Sequence, residues 1–227
     1  MTLATPVAEL KRIFEFSETP NLRPRWNVAP TQDVAAVRLG EDGARHLDLL
    51  RWGLVPHWAD DPAIGNRMIN ARGESVADKP AFRSAFRQRR CLVPADGFYE
   101  WKAAGKRKQP YLIRRRDGRP LAFAGLWERW PGPKGAPLPQ PLETVTIVTT
   151  AAGGMIADLH ERMPVMLEPE HWGLWLDPRA PLPMVEDLLR PAPDPALEAV
   201  PVSTRVNDVR NDDDACVVPF DAPPTLL

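Results

Sequence analysis

The sequence predicts one β-rich α+β domain, with curved sheets or a barrel-like core and helices at its periphery. Three observations lead there. Short runs rich in β-branched and aromatic residues recur along the chain, bounded by Pro, Gly, Asn or Asp. Helical periodicity is confined to a few segments. The regular strand–helix alternation that a parallel doubly wound sheet requires is missing. With 227 residues, 44% hydrophobic and 26% charged, the chain can bury a sizeable core without staples. Residues 1–227 therefore read as a single domain.

The elements follow in order. Thr5-Pro6 ahead of Val7, Leu10, Ile13 and Phe14 predicts a capped amphipathic helix with Pro in its first turn. Residues 33–39 form a short apolar strand, and 46–54 alternate with Leu47 and Leu49 on one face. Residues 79–86 read as a short helix carrying Phe82 and Phe86 at i and i+4. Strands over 90–93 and 98–102 flank a turn at Pro94-Ala95-Asp96-Gly97. Strands over 109–115 and 121–127 straddle Asp117-Gly118, a hairpin signal. Residues 144–149 are a β-branched strand, 168–176 and 182–189 are helices, and 199–203 is a late strand. The Pro-rich stretch 130–142 is an exposed excursion, because strands of similar character resume after it; 190–197 is a second such connection.

No run of about 18 apolar residues occurs, so nothing in the sequence reads as a membrane-spanning helix. The N-terminus lacks the basic-then-apolar order of a secretory signal. Cys91 and Cys216 lie far apart, fit no metal spacing, and read as buried thiols in a reducing cytoplasm. Net charge is −1, which excludes attraction to nucleic acid by bulk charge alone. The charge is uneven, however. Arg83, Arg87, Arg89 and Arg90 cluster, as do Lys102, Lys106, Arg107 and Lys108, then Arg114, Arg115 and Arg116. These form either a local phosphate-binding face or a set of solvated arginines. Acids concentrate at Asp208 and Asp212-Asp213-Asp214.

Several polar residues stand out. Glu100 lies between Tyr99 and Trp101, where desolvation raises a carboxyl pKa and suits it to proton transfer. Its other reading is a solvent-facing Glu on a strand. Asn70 and Arg72 are two apart and share a face of an extended chain, where an amide and a guanidinium can orient a substrate and grip an anion. Their other reading is a turn cap and a surface ion pair. His160, just before Arg162-Met163-Pro164, is a candidate acid or base, although a lone His more often serves structure. Trp58, in a loop, is placed to stack on an unpaired base, whereas Trp52 reads as core.

Five segments keep one order: Asn27-Val28-Ala29-Pro30, Trp52-Gly53-Leu54-Val55-Pro56, Ile69-Asn70-Ala71-Arg72-Gly73-Glu74, Ala95-Asp96-Gly97-Phe98-Tyr99-Glu100-Trp101-Lys102 and Asp158-Leu159-His160-Glu161-Arg162-Met163-Pro164. Together with Val202-Ser203 and Val206-Asn207, this set resembles the SOS response-associated peptidase (SRAP) family of abasic-site processing proteins. The resemblance implies binding to single-stranded DNA that carries an abasic site. It implies autoproteolytic removal of the initiator Met, then condensation of an N-terminal Cys with the sugar aldehyde to a thiazolidine crosslink. By the same resemblance, Asn70 holds the N-terminal residue, Glu100 moves protons and His160 assists at the sugar. Arg72 grips a phosphate, Trp58 stacks, and Asn27, Thr149 and Arg162 complete the DNA-binding set. No metal or cofactor is implied. The expected partner is abasic single-stranded DNA, and the expected protein is a cytoplasmic, nucleoid-associated monomer.

The sequence departs from the family at its start. The family pattern opens Met-Cys-Gly-Arg-Phe; here Met1 is followed by Thr2-Leu3-Ala4-Thr5-Pro6, as though Cys-Gly-Arg-Phe were missing. Neither Cys91 nor Cys216 replaces that Cys, because a thiazolidine needs amine and thiol on one residue. The expectation is a family scaffold deficient in crosslinking. The alternatives are a non-covalent single-strand binder and an amidase-type hydrolase using Glu100 and His160.

Overall fold

The computed structural model describes residues 1–105, 107–192 and 196–220, with backbone only for Ala104 and Arg107. Lys106 and residues 193–195, from the basic run and the second Pro-rich connection, lie outside the described residues. Two sheets and a few short helices make up the fold. The larger sheet contains β1 (Asp33–Leu39), β2 (Arg45–Trp52), β3 (Asn70–Arg72), β4 (Arg90–Ala95), β7 (Leu121–Trp130), β8 (Leu142–Ala151) and β9 (Arg162–Pro164). Its order is β2-β1-β4-β7-β8-β3, with β9 antiparallel on β8. The sheet curls until β2 meets β8 in parallel through Arg51–Thr144 and Trp52–Val145, so it is a curled sheet rather than a true barrel. The smaller sheet is antiparallel, β10 (Leu197–Pro201), β6 (Arg107–Arg115) and β5 (Gly97–Ala104) in that order.

Both faces of the curled sheet are buried, and side chains alternate between them with the strand period of two. Ala35, Val37, Leu92, Ala122, Ala124, Leu126 and Val148 face α1 (Val7–Phe14), α2 (Arg83–Gln88), α4 (Pro169–Leu176) and α5 (Leu182–Glu186). Val34, Ala36, Cys91, Val93, Phe123, Val145 and Ile147 face the smaller sheet, which contributes Phe98, Ile113 and Leu197. The short helix α3 (Gly154–Ala157) also closes this side through Ile156. Both thiols are buried and unpaired. Among the described residues no helix is long and apolar enough to cross a membrane.

Several expectations are corrected. The Asp117-Gly118 hairpin does not form, because β6 pairs with β5 and β10 while β7 pairs with β4 and β8 in the other sheet. The turn at residues 94–97 is also absent. Pro94 and Ala95 belong to β4, Gly97 opens β5, and Asp96 alone separates them. Gly97 is needed for close approach: a Cβ there would lie 2.7 Å from the Ile113 carbonyl oxygen of β6. The strand expected over 46–54 stops at Trp52, where Gly53 takes a φ of +133° and a Cβ would sit 2.6 Å from the Gly65 carbonyl oxygen. Leu47 and Leu50 are buried on opposite faces of the sheet, and Leu49, expected to share the face of Leu47, is 55% exposed. Helix α1 has no side-chain cap, because the Thr5 hydroxyl donates to Asp96 instead. The later helices are shorter than their apolar spacing suggests, α2 beginning only at Arg83 and α5 ending at Glu186.

Candidate functional site

The site is built where the two sheets part, around the first residues of the chain. Residues 1–3 form a short extended segment threaded between two others. Thr2 bridges Gly97: its N–H donates to the Gly97 carbonyl at 2.9 Å, and the Asp96 N–H donates to the Thr2 carbonyl at 2.8 Å. On the other side Leu3 pairs with Arg25 through two bonds of 2.7 and 2.9 Å, and the Val28 N–H donates to the Met1 carbonyl at 2.8 Å. The Met1 amine donates to the Val28 carbonyl at 2.9 Å. Burial pushes that amine down to about 5, against the pull of Asp212 upward and with the help of Arg25. Residues 25–28 are themselves held by Asp212, whose carboxylate accepts from the Trp26 and Asn27 N–H groups at 2.6 and 2.9 Å and pairs with Arg25.

Met1 forms part of the wall of a cavity of about 350 Å³. Asn70, Glu100, Thr149, His160, Arg162 and Asn27 line the same cavity, so six of the eight sequence-derived candidates come together. Each arrives by a simple route. Glu100 projects from β5 on the same face as Phe98, which packs edge-on against Phe123 with centroids 5.7 Å apart. Tyr99 and Trp101 stand on the opposite face of β5, close to each other. Burial raises the Glu100 carboxyl pKa, and the neighbouring His160 partly lowers it. The direction matches the sequence reading, and Tyr99 and Trp101 line the same cavity as the carboxyl.

Asn70 and Arg72 are exposed on one face of β3, with the fully buried Ala71 between them, as their spacing predicts. Thr149 sits near the end of β8, in register with Arg72. His160 lies in the turn before β9, its Nδ1 held 3.0 Å from both the N and O of the Arg162 backbone. The Arg162 guanidinium is already committed: it donates to both Glu74 carboxylate oxygens at 2.7 and 2.9 Å and to the Thr149 carbonyl at 2.6 Å. This pairing lowers the Glu74 pKa despite an opposing desolvation. Asn27 is buried, its amide donating to the carbonyls of Val206, Asp208 and Asn211, so it fastens the cavity wall to the C-terminal segment.

Arg72 and Trp58 do not line this cavity. Trp58 is 52% exposed on the surface beyond it. Trp52, read as core, packs against the core and also forms part of the wall, with its indole N–H on the Ile69 carbonyl at 2.8 Å. Sequence reasoning also passed over the role of Asn207, whose side chain accepts from the Trp101 indole at 2.7 Å and lines both this cavity and the shallower groove beside it. Trp101 and Lys108 extend that groove along β5 and β6.

Several members of the linear basic clusters are already engaged. Arg90 is buried and donates to the carbonyls of Phe86, Arg87 and Trp175. Arg89 pairs with the buried Glu128, Arg114 with Glu198, and Arg115 with Asp117 and Glu168. The acidic run is similarly divided among partners, Asp208 with Arg210 and Asp213 with Arg205.

The sequence matches a family model described as "SOS response associated peptidase (SRAP)" over residues 1–209. Similar proteins include "Abasic site processing protein YoqW" of Bacillus subtilis (strain 168), 40% identical over 207 residues that cover 90% of each chain. "Abasic site processing protein YoaM" of the same organism is 41% identical over 201 residues, 88% of this chain and 86% of that one. "Abasic site processing protein HMCES" of Gallus gallus is 36% identical over 231 residues, 88% of this chain and 67% of that one. A crystal structure of a protein from Bacteroides thetaiotaomicron superposes with a TM-score of 0.86 over 96% of this chain and 98% of that one; at 22% identity it speaks to the fold alone. A phage-related protein from Bordetella bronchiseptica superposes with a TM-score of 0.70 at 32% identity, over 89% of this chain and 92% of that one.

Proposed function

The chain belongs to the SOS response associated peptidase family, and from that premise we propose that it processes abasic sites in DNA at the cavity where its N-terminal segment ends. The observation that carries this reading is the convergence of Asn70, Glu100 and His160 around the wall formed by Met1. An abasic sugar exposes an aldehyde, and single-stranded DNA presents it free of a partner strand. An unprotonated α-amine delivered to this cavity by the residues ahead of Thr2 attacks the aldehyde carbon to give a carbinolamine. Loss of water gives an imine, and a thiol on the same residue then adds to close a thiazolidine. Glu100, with its raised pKa, supplies a proton to the departing water and takes one back from the incoming thiol. Asn70 orients the N-terminal residue and His160 faces the sugar. The same carboxyl serves the hydrolysis that would free a Cys from an initiator Met.

Position 2 of this sequence is Thr, so the thiol is not on the residue after Met1. The thiazolidine step is therefore tested by supplying that thiol to the sequence as it stands. The test compares it with a version carrying Cys-Gly-Arg-Phe between Met1 and Thr2, each incubated with single-stranded DNA containing one abasic site. The expected outcome is a crosslink stable to heat and denaturant only in the version with the insertion, lost on Glu100→Gln. Absence of a crosslink in both, with the inserted version folded, would sink the proposal.

A further inference from the structure

Asp96 belongs to the segment that reads as a turn, yet it occupies the single residue between β4 and β5 and makes none of the bonds of a hairpin turn. Its carboxylate instead reaches the N-terminal segment. Oδ2 accepts from the Ala4 N–H at 2.5 Å and the Thr5 N–H at 3.0 Å, and Oδ1 accepts from the Thr5 hydroxyl at 2.5 Å. The Asp96 backbone N–H adds the bond to the Thr2 carbonyl at 2.8 Å. Four groups of residues 2–5 are thus bound by one residue. That residue lies four positions before Glu100 on the same run of chain.

The geometry points to Asp96 as the positioning residue that sets the register of the N-terminal segment against β5; this role rests on the function proposed above. Residues 1–3 are extended, and an extended segment that slips by one residue turns every side chain to the opposite face. Backbone bonds to residues 25–28 and 96–97 fix the spacing between neighbours, but an extended ladder permits the same bonds in a shifted register. The Asp96 carboxylate removes that freedom, because Thr5 alone offers both an N–H and a hydroxyl at this height, and Pro6 next to it has no N–H to offer in a shifted pairing. Whatever precedes Thr2 then arrives at one fixed distance from Glu100, Asn70 and His160. A reacting group displaced by about 1 Å loses on the order of 100-fold in rate, so a register lock has a direct chemical value.

The experiment has two readouts. In the chain as it stands, amide hydrogen exchange is followed at Thr2 and Leu3, whose N–H groups bond Gly97 and Arg25, and at Ala124, whose N–H bonds Val165 in the core. Asp96→Ala is expected to speed exchange at Thr2 and Leu3 about tenfold or more and to leave Ala124 unchanged. In the version carrying Cys-Gly-Arg-Phe, the same substitution is expected to slow crosslinking at saturating DNA by about 10- to 100-fold. The DNA concentration at half-saturation stays within about twofold, because the DNA contacts are untouched. Asp96→Asn, which keeps an acceptor oxygen at the same place, is expected to recover part of both losses. Unchanged exchange at Thr2 and Leu3 would overturn the clamp. Faster exchange with an unchanged saturated rate would overturn the register role. A parent that fails to crosslink would count against the proposed function instead, and the clamp would still be judged by exchange.

Discussion

Glu100 shows what a single side chain gives up to serve a site. Its carboxyl pKa is raised by burial, with His160 pulling it back. A carboxyl whose folded pKa lies above its unfolded value binds the proton more tightly when folded, so its contribution to stability falls as pH rises from the ordinary carboxylate range through the raised value. Glu100→Gln removes the buried charge. It is therefore expected to raise the melting temperature at pH 8 relative to the parent, with the difference shrinking toward pH 4, and to abolish crosslinking in the version that has the N-terminal Cys. Melting curves across pH check the first part; a gap that widened toward pH 4 would contradict it. The sequence conveyed that Glu100 is desolvated, but not the distant residues that share its cavity. Tyr99 and Trp101 are its neighbours along the chain and lie across the strand from it, a relation that follows from the period of two once a strand is granted. Arg162 was legible only as a charge. That Glu74 and Thr149 already occupy it depends on residues 88 and 13 positions away, a proximity that only the fold creates.

Among elements, those whose apolar spacing suffices were read correctly. Strand β1 spans the residues its composition predicts, and α1 buries Leu10 and Phe14 from the i, i+4 pattern. Elements that depend on a distant partner were not. Strands β6 and β7 look like a hairpin because Asp117-Gly118 signals a turn, but the chain there passes from one sheet to the other. Strand β9 has three residues and exists because β8 offers it an edge. The helices depend on one another through the core: the Phe14 ring of α1 stacks on the Trp172 ring of α4 at 4.7 Å, nearly parallel. Phe14→Ala is expected to cost about 3–5 kcal/mol, the usual range for emptying a fully buried aromatic position. Equilibrium urea unfolding measures it, and a loss below about 1 kcal/mol would show that α1 contributes little to the core.

At the scale of the whole molecule, the central sheet is covered on both faces, by helices on one side and by the smaller sheet on the other. Such strands read as continuous apolar runs, which is why the chain conveyed β-rich content but not which strands adjoin. Charge behaves similarly. Of the arginines that cluster in sequence, Arg89, Arg90, Arg114 and Arg115 are taken up by Glu128, Glu198, Asp117, Glu168 and backbone carbonyls. Among the described residues, the cationic side chains that line the cavity and the groove beside it are Arg162, already paired with Glu74, and Lys108, so non-covalent affinity for single-stranded DNA is expected to fall with salt at a log–log slope of only about −2, the signature of two or three phosphate contacts. Binding titrations between low and moderate salt check this, and a slope steeper than about −5 would restore the extended basic face.

The threading of residues 1–3 between 25–28 and 96–97 has a consequence for synthesis. The segment at the heart of the cavity is made before every residue that holds it. Its inner partner is complete only when residue 97 has emerged, and the carboxylate that fastens its outer partner arrives with Asp212. At about 5–20 residues per second, that interval lasts on the order of 10–40 s. Throughout it, residues 1–3 lack those partners, and afterwards they are enclosed by them. The cavity wall is thus among the last parts of the fold that can close as the chain is made.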